Sequence, residues 1–529
     1  MSKNFATSLL TNAPGTGGTS VTVTTGTGSR FIVGLATVGP DATTWTPANA
    51  EVVTITSVST DTLTVTRQSE SSTAMALAAG YRIVQGVTAG MWDGITGAST
   101  VVAAPTGVAA TDYANITAAL TAVTTLGGIV QLQPGIYKTT QTIVVPGGVM
   151  LRGTGIDYAQ TAVAAGRAAV IVASGSITGP VVQVGNYFGT AADSASFLSG
   201  RTGATIQDLV VDGAGLASYA VQTYGARSYV RACQIYRGTT YALYHHGQNS
   251  YVLDSVIGQN DVGSTIYIDN DDNKVINCQV RGHGSAAGSN AGIKVFNGAT
   301  YIANNHIFPN ASGISSGGPD IHVVDSSMVQ ILGNDLDQTN NPGIHLESVS
   351  STMYDIQIVG NVIRNYTSLT DITHDAIKMT CANPIKGVTV VGNTVRAEAS
   401  HKYRSIVGRT GANPALVNMV GNHAEYCSAL SNGTPTLEGQ SANTVYDGSS
   451  TKYTDKGGTS TQSGTGAQTA FTIAHGLIAT PSKWSVTAQS AAAATPFYVT
   501  ADATNLTVTY TTAPASGTNN VVLTWLARV

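Results

Sequence analysis

Charged residues are scarce in this chain. Of its 529 residues, 25 are Lys or Arg and 29 are Asp or Glu, so charged residues make up 10% of the sequence, whereas globular proteins carry about 25%. The formal net charge is −4, and no run of like charges supplies the basic stripe that nucleic-acid binding requires. We therefore expect no nucleic-acid partner.

Cysteines and long apolar runs are also scarce. The four cysteines, Cys233, Cys278, Cys381 and Cys427, are too few for a disulfide framework, and we expect them to be small buried groups. No stretch approaches the length of a membrane-spanning helix, and the first residues lack the apolar run and cleavage site of an export signal. The sequence thus predicts that the chain does not insert into a membrane. It also predicts synthesis in a reducing cytoplasm without a signal peptide.

The residues that are abundant favour strands and tight turns. The chain contains 59 glycines, and Thr, Ser, Val and Ala dominate nearly every window of the sequence. This composition excludes an all-α protein and predicts an all-β fold.

A six-residue pattern recurs along the middle of the chain. It begins and ends with an apolar residue, and it appears as Ile206–Val211, as residues 230–235 and as seven later copies that end with residues 419–424. The fourth residues of the copies are spaced by 22 to 32 positions, which predicts nine turns of a solenoid built from short strands. These fourth residues are Leu209, Cys233, Ser255, Cys278, Asn305, Asn334, Asn361, Asn393 and Asn422.

The five asparagines in this series have a structural explanation. Stacked at one corner of the solenoid, their side-chain amides can form hydrogen bonds from turn to turn. We expect this ladder to be structural and not catalytic. Because Cys233 and Cys278 share the same position two turns apart, about 9.6 Å at the usual strand spacing, they are too distant for a disulfide.

The start of the repetitive region resembles a known family. The segment Gly-Gly-Ile-Val-Gln-Leu-Gln-Pro-Gly-Ile-Tyr at residues 127–137, with residues 112–123 and 149–155 on either side, resembles the opening of the pectate-lyase-superfamily β-helices of phage tailspikes. The Gly-Asn and Gly-Ile-x-Leu turns are similar to the same family down to about residue 430. This resemblance implies a right-handed parallel β-helix whose apolar end is capped by a short helix, and a homotrimer.

Two smaller β modules are predicted to flank the β-helix. Residues 1–96 resemble an N-terminal module of phage tail proteins, which implies attachment to tail or baseplate proteins. Residues 464–529 look like the β-sandwich that closes many tail-fibre chains, where it trimerises the chain or binds sugar. Residues 97–110 and 441–463 are predicted linkers, which leaves 111–440 for the β-helix.

A second strand alternates with the recurring pattern and predicts a binding surface. Because side chains alternate along a strand, residues one and three positions after its first apolar residue point outward. The first outward row is Gln222, Tyr244, Tyr267, Lys294, His322, His345, Lys378 and Val407. The second row is Tyr224, His246, Asp269, Phe296, Val324, Glu347, Thr380 and Arg409. Aromatic, imidazole, ammonium and carboxylate groups on one face predict a carbohydrate groove.

Carboxylates near this groove are the catalytic candidates. The turns before Ile293, Ile321 and Ile377 are the longest and would wall the groove. Glycoside hydrolysis needs two carboxyl groups about 5 to 9.5 Å apart, and Glu347 with Asp375 is the leading pair. Asp320 is a further candidate at the centre, and Asp269 is a competing one in the turn Asp-Asn-Asp-Asp-Asn.

Two alternatives remain open. Lys294, His322, His345 and Lys378 could bind an acidic glycan or serve a lyase, which needs a base and a cation beside a uronate. Glu347 could instead form only a surface ion pair with Lys378. Tyr244, Tyr267 and Arg409 complete the predicted substrate-binding set, and no cofactor or metal site is predicted.

These features predict a phage tailspike that binds and cleaves a bacterial surface polysaccharide, such as a capsule, exopolysaccharide or O-antigen. Hydrolysis is favoured over β-elimination. The alternative is a receptor-binding spike without turnover. In either case the resemblance implies a protein of the virion tail that acts at the host cell surface.

Overall fold

The computed structural model describes residues 6–41, 46, 48–85, 98–125, 127–156, 168–185, 203–260, 263–283, 290–308, 318–337, 342–365, 374–397, 402–433, 435–446 and 450–529. The chain divides into two compact units, Met1–Ser99 with Leu126–Gly128, and Thr100–Thr125 with Ile129–Val529. Three short 3₁₀ turns occur at Gly28–Arg30, Ser69–Ser71 and Ala491–Ala493. No helix among the described residues is long and apolar enough to cross a membrane.

The first unit contains one antiparallel sheet of six strands. In sheet order these strands are Ala6–Leu9, Tyr81–Gln85, Gly34–Pro40, Glu51–Ser59, Thr62–Thr66 and Ser20–Thr22. The Val, Ile and Leu side chains on one face are fully buried, as the alternating pattern of these segments requires. Glu51 is buried beside them and accepts a hydrogen bond of 2.6 Å from Arg67, so the buried carboxylate has a charged partner.

The second unit is dominated by a parallel β-helix, so the predicted fold is confirmed. Successive turns of the solenoid contribute strands to three sheets, which we call sheets I, II and III. Sheet I contains Ala98–Val101, Gly128–Gln131, Val149–Arg152, Thr205–Gln207, Tyr229–Arg231, Tyr251–Leu253, Asn273–Ile276, Thr300–Ala303, Gln330–Leu332, Met353–Val359, Ile385–Val391, Ala415–Val420 and Thr436–Ser441.

Sheets II and III complete each turn. Sheet II contains Gly135–Thr139, Ala169–Ala173, Val210–Asp212, Gln234–Tyr236, Val256–Asn260, Gln279–His283, His306–Phe308, Asp335–Leu336, Val362–Asn365, Thr394–Ala397, His423–Glu425, Thr444–Tyr446 and Thr451–Tyr453. Sheet III contains Ile143–Val145, Ile177–Val184, Ala217–Thr223, Tyr241–His245, Ile266–Ile268, Ile293–Phe296, Ile321–Val324, Ile344–Ser348, Ile377–Cys381, Tyr403–Thr410 and Cys427–Asn432.

The recurring sequence pattern spans two of these strands. Its first apolar residue lies in sheet I and its last in sheet II, and the aligned fourth residue forms the corner between them. The asparagine ladder occupies this corner as predicted: the amide nitrogen of Asn334, for example, donates to the side-chain oxygen of Asn361 at 2.9 Å. The ladder also includes Asn443, which the sequence alignment missed and which accepts from Asn422 at 2.8 Å.

Among the described residues one α-helix, α1 (Ala109–Val123), packs against Gly135–Thr139, Ile143–Val145 and Val149–Arg152, which are early strands of sheets II, III and I. Its Ile116, Leu120 and Val123 side chains are buried, because an open solenoid end exposes apolar side chains that need a cover. The buried carboxylate of Asp112 accepts backbone hydrogen bonds from Thr106 and Lys138. The helix predicted from the family resemblance is therefore present.

Both predicted linkers are wrong in part, because each contains strands. Ala98–Val101 lies at the edge of sheet I, and Thr444–Tyr446 adds a further rung to sheet II. Asp455–Gly464 pairs with the last strand of the chain. Thr and Ser are frequent in these segments, and Thr suits a half-exposed strand, although their polar composition suggested a flexible connection.

The end of the chain forms two three-stranded antiparallel sheets. One consists of Asp455–Gly464, Gly517–Arg528 and Lys483–Ala488, and the other of Ala470–Ala474, Asn505–Tyr510 and Phe497–Ala501. Phe471, Leu506, Val508, Leu523 and Trp525 are buried in one apolar cluster. This module has its own core, as expected for a small β domain.

All four cysteines are buried and free. Burial raises the pKa of the Cys233 and Cys278 thiols to about 12. They remain protonated at neutral pH and are unreactive core groups, in agreement with the sequence prediction.

Candidate functional site

The outer face of sheet III carries the predicted first row of side chains. Consecutive strands are in parallel register, and the apolar residue that precedes each member of the row is fully buried, so that the next residue faces outward. The row in the structure is Gln222, Tyr244, Tyr267, Lys294, His322, His345, Lys378 and Gly408.

The end of this row corrects the sequence alignment by one position. Val407 pairs with Ile377 and is fully buried, so Gly408, and not Val407, follows Lys378. By the same shift Arg409 pairs with Met379, and Thr410 continues the row of Glu347 and Thr380. Ile406 and Val407 are both buried and apolar, so alternation alone could not fix the register of this strand.

Glu347, His322 and His345 form the centre of the candidate site. The Nε2 atom of His322 lies 2.9 Å from Oε2 of Glu347, which is on the next rung. The two imidazole rings are stacked in parallel with their centroids 4.6 Å apart, and Nε2 of His345 lies 2.9 Å from Oγ1 of Thr380. The side chain of Glu347 is 29% exposed while that of His322 is 3% exposed, so a solute on this face meets the carboxylate first.

The protonation states follow from burial and from this hydrogen bond. The hydrogen bond from His322 holds the pKa of Glu347 below its usual value, so the carboxylate is ionised at neutral pH. Burial lowers the pKa of His322, and burial with the adjacent His322 lowers the pKa of His345 to about 3. Both imidazoles are therefore neutral at physiological pH.

Two lysines lie on either side of the histidines. Lys294 and Lys378 occupy the rungs before His322 and after His345 in the first row, and both contribute to lowering the pKa of His322. Burial lowers the pKa of Lys294 itself. The ion pair considered between Glu347 and Lys378 is replaced by the contact of Glu347 with His322.

Ligand atoms of His322, His345 and Glu347 lie within 4.8 Å of one another and could together coordinate a divalent cation. Their neutral imidazoles and ionised carboxylate have the right chemistry. The two flanking ammonium groups would repel a cation, however, and suit an anionic group of a ligand better. That this site functions without a metal remains a prediction.

An aromatic cluster lies on the rungs that precede this centre. Asp269 accepts a hydrogen bond of 2.5 Å from the hydroxyl of Tyr244 and lies 2.6 Å from Nδ1 of His246. The rings of Tyr241 and Tyr267 stack in parallel at 4.6 Å, and Tyr219 stacks on Tyr241 at 5.8 Å. Burial raises the pKa of Tyr267 to about 12, so these hydroxyls are neutral donors.

Tyr219 and Tyr241 were absent from the sequence prediction. They stand at the start of their strands, before the apolar residue from which the outward rows were counted, and they pair with each other across the rungs. Strict alternation would place them on the inward face with Val221 and Leu243, but Ala220 and Ala242 are also buried, so alternation does not hold at these positions.

Two predicted catalytic carboxylates are not accessible. Asp320 is 1% exposed, and burial with the neighbouring Asp337 and Asp335 raises its pKa well above the usual value. Asp375 is also 1% exposed; Arg404 forms two hydrogen bonds to its oxygens, and the hydroxyl of Ser405 donates a third at 2.5 Å. A side chain at Gly408 would overlap the Asp375 carboxylate, so this position requires glycine.

The structure therefore does not bring the leading pair together. Glu347 is bound by His322 on the preceding rung, whereas Asp375 is held by Arg404 and Ser405 on the following one. Asp269 stands in the same outward row as Glu347 but three rungs away, about 14 Å at the strand spacing. The long turns predicted to wall the groove, residues 284–289, 309–317 and 366–373, lie outside the described residues.

Comparisons with known proteins add structural similarity only. No known protein family matches the sequence, and no curated protein matches it. The structure is similar to the tailspike protein gp49 from Pseudomonas phage LKA1, with 11% sequence identity, coverage of 99% of this chain and 81% of that one, and a TM-score of 0.38. It is also similar to a tailspike protein mutant of E. coli bacteriophage HK620 in complex with a pentasaccharide (13% identity, 80% and 90% coverage, TM-score 0.43). A third similar structure is the A-module of the Azotobacter vinelandii mannuronan C-5 epimerase AlgE6 (16% identity, 63% and 94% coverage, TM-score 0.41).

Proposed function

We propose that this chain is a phage tailspike that binds a bacterial surface polysaccharide along the outer face of sheet III and cleaves it near Glu347. The observation that carries the proposal is the ionised Glu347 carboxylate, held by His322 on a face that also presents tyrosines and lysines. The resemblance of residues 127–137 and their surroundings to tailspike β-helices supports the same assignment.

The arrangement of the first row supports a long, acidic substrate. Tyrosines on the early rungs offer apolar edges and hydroxyl donors to sugar rings. Lys294 and Lys378 then place two ammonium groups around the His322 and His345 pair, where they would bind carboxylates or other anionic substituents of the glycan. A polysaccharide that runs along the solenoid axis would meet these groups in sequence.

Hydrolysis remains the favoured reaction. A hydrolase requires an ionised carboxylate as its base or nucleophile, and the lowered pKa of Glu347 supplies one at neutral pH. Asp320 and Asp375 are buried and Asp269 is about 14 Å away by rung spacing. A general acid is also required, and we propose none of these three aspartates for that role beside Glu347.

β-Elimination is the second candidate, and the two lysines favour it. In that reaction a base removes the proton beside a uronate carboxyl, the bond to the leaving oxygen breaks, and that oxygen takes a proton from water. Lys294 or Lys378 would neutralise the uronate carboxylate. Glu347 with its low pKa is a weak base for a C–H proton, which places elimination second.

The remaining assignments concern the virion. We propose that the N-terminal unit attaches the chain to tail or baseplate proteins, that the chain assembles as a homotrimer, and that it acts at the host cell surface as part of the virion tail. A receptor-binding spike without turnover is the alternative if the face of sheet III only holds the glycan.

The test is a panel of purified bacterial capsules and lipopolysaccharides incubated with the protein and with Glu347→Gln. New reducing ends without the absorbance of unsaturated uronates would support hydrolysis, and that absorbance would support elimination. Glu347→Gln should abolish turnover while binding persists. Glu425→Gln is the matched control, because Glu425 is a partly exposed carboxylate on sheet II that pairs with Arg396.

Binding of the panel without any product would contradict the enzyme and leave the receptor-binding alternative. Unchanged turnover by Glu347→Gln would contradict the assigned centre.

A further inference from the structure

A separate row of polar and aromatic side chains lies on sheet I. It is distinct from the two outward rows of sheet III. The register of consecutive strands aligns Tyr229, Tyr251, Lys274, Tyr301, Gln330 and Gln357. Six rungs span about 24 Å at the strand spacing. None of these residues contributes to the site around Glu347.

A cavity of about 280 Å³ opens along this row. Its lining includes Lys274, Tyr301 and Gln330 from three successive rungs, and Asn249, Asp272 and Met328 from the adjoining corner. We call this cavity the sheet I pocket. Its size is close to the lower end of the range for small-ligand sites.

The first half of the row is tied together by its own contacts. The rings of Tyr229 and Tyr251 are stacked at 4.8 Å, and the ammonium of Lys274 lies 4.5 Å from the centre of the Tyr251 ring and donates to its hydroxyl at 2.9 Å. These contacts fix the ammonium at one wall of the pocket without a carboxylate partner in the described residues. A fixed donor of this kind is preorganised for a ligand oxygen.

Tyr301 differs from the two tyrosines before it. Within the described part of the chain its ring has no stacking or cation–π contact, although Lys274 and Gln330 are its neighbours in the row. Thr300 also lines the pocket, is 3% exposed, and its Oγ1 has no hydrogen-bond partner among the described residues. The pocket thus offers an aromatic ring that is not already engaged by another ring or cation.

The rim of the pocket exposes an apolar side chain under backbone strain. Met328 is 63% exposed and has a φ of 57°, a conformation that is uncommon for residues other than glycine. Its backbone N–H donates to the carbonyl of Tyr354 on the next rung, which holds it there. An exposed methionine is an adaptable apolar contact for a ligand at this edge.

We propose that the sheet I pocket binds a neutral glycosyl unit, as a secondary carbohydrate site separate from the face of sheet III. The Tyr301 ring and Met328 would contact the apolar face of the sugar, and Lys274, Gln330 and Asp272 would bind its hydroxyl groups. A sugar offers this combination of an apolar ring face and a rim of hydroxyls. The site needs no reaction at Glu347, and it would hold the protein on a glycan surface while cleavage proceeds elsewhere.

The experiment uses the full-length protein and three defined neutral probes, maltohexaose, cellohexaose and chitohexaose. Oxidative footprinting followed by mass spectrometry measures the oxidation rate of Met328, and calorimetry measures affinity. At least one probe should bind in the millimolar range and slow the oxidation of Met328. Tyr301→Ala should weaken that binding about fivefold, since ring contacts of this type contribute about 1 kcal/mol.

Two controls make the result specific. Tyr354→Ala removes an exposed tyrosine of the same sheet that does not line the pocket and should bind as the wild type does. Glu347→Gln should also bind at the pocket unchanged, so failure of the proposed cleavage would not alter this result.

Three outcomes would overturn the proposal. The first is that none of the probes protects Met328, and the second is that Tyr301→Ala binds as tightly as the wild type. The third is that Met328 is already protected without sugar in a manner that depends on protein concentration, which would make this face an interface between copies of the chain.

Discussion

The buried imidazole of His245 makes the stability of this protein depend on pH. His245 is fully buried beneath sheet III, where its Nδ1 lies 2.8 Å from the hydroxyl of Thr223. Burial lowers its pKa to about 4, whereas an unfolded chain binds the proton near pH 6.5. Below pH 6.5 the unfolded state therefore binds more protons than the folded state, and stability is lost as the pH falls toward 4.

We expect this group to lower the free energy of unfolding by about 2 kcal/mol at pH 5 relative to pH 7.5. Denaturant unfolding of the wild type and of His245→Gln at the two pH values measures the effect. The variant should lose less stability between them, even if it is less stable at both. His423→Gln, which removes an exposed imidazole on sheet II, should keep the pH dependence of the wild type, and an equal dependence in His245→Gln would contradict the prediction.

At the scale of the strand and its corner, the asparagine ladder carries the hydrogen bonds between rungs. The side chain of Asn361 donates to the carbonyl of Ile331 and to Asn393, and it accepts from the backbone and side chain of Asn334. It is fully buried, so no water can replace these partners when it is removed.

Asn361→Ala should destabilise the second unit by about 3 kcal/mol, because several buried polar groups lose their partners. Asn361→Ser should cost less, since Ser255 occupies the same corner on an earlier rung and accepts from the backbone of Cys233. Thermal unfolding monitored by circular dichroism compares both with Asn418→Ala, which changes a half-buried residue on sheet I. Equal midpoints for Asn361→Ala and Asn418→Ala would show that the ladder is not stabilising.

The same elements show how far the sequence predicts this fold. The spacing of Cys278, Asn305 and Asn334 predicted the rungs, because a corner that must satisfy buried backbone groups tolerates few side chains. Asn443 was missed for two reasons. Its rung follows Asn422 after a shorter interval than the others, and the six-residue pattern there does not begin with an apolar residue. The segment 441–463 was misassigned because a segment rich in Thr and Ser suits both a strand and a linker.

The site was predictable where alternation alone decides the direction of a side chain. It correctly placed Tyr244, Lys294 and His322 on one row. It could not place Asp320 or Asp375, which precede the strands at a corner, where burial depends on neighbouring rungs and not on period-two alternation. The contact between His322 and Glu347 needed the register of two strands, which sequence spacing does not provide.

At the scale of the whole molecule, the C-terminal module exposes large apolar side chains. Trp484 and Leu526 are 42% and 52% exposed on adjacent strands of one sheet. Trp484 pairs with Ala527 and Leu526 pairs with Ser485, so the two side chains lie on opposite faces, and Leu526 is on the outer one. A large apolar side chain exposed on an outer face suits an interface. We expect this face to contribute to the proposed trimer.

Leu526→Lys should dissociate the trimer, because three ammonium groups would be placed in an apolar contact. Light scattering coupled to size-exclusion chromatography measures the mass. Thr472→Lys is the matched control, since Thr472 is exposed on the other sheet of the module. A trimeric Leu526→Lys protein, or a monomeric wild type, would contradict the assignment of this face.

Because of the asparagine ladder, whole turns of the solenoid can be gained or lost as units during evolution. Each of Asn334, Asn361 and Asn393 offers the same donor and acceptor to the turn before it and the turn after it. A whole turn inserted or deleted between two such corners therefore leaves every remaining hydrogen bond in register. Lengthening sheet III in this way would extend the proposed glycan-binding face without a change of fold.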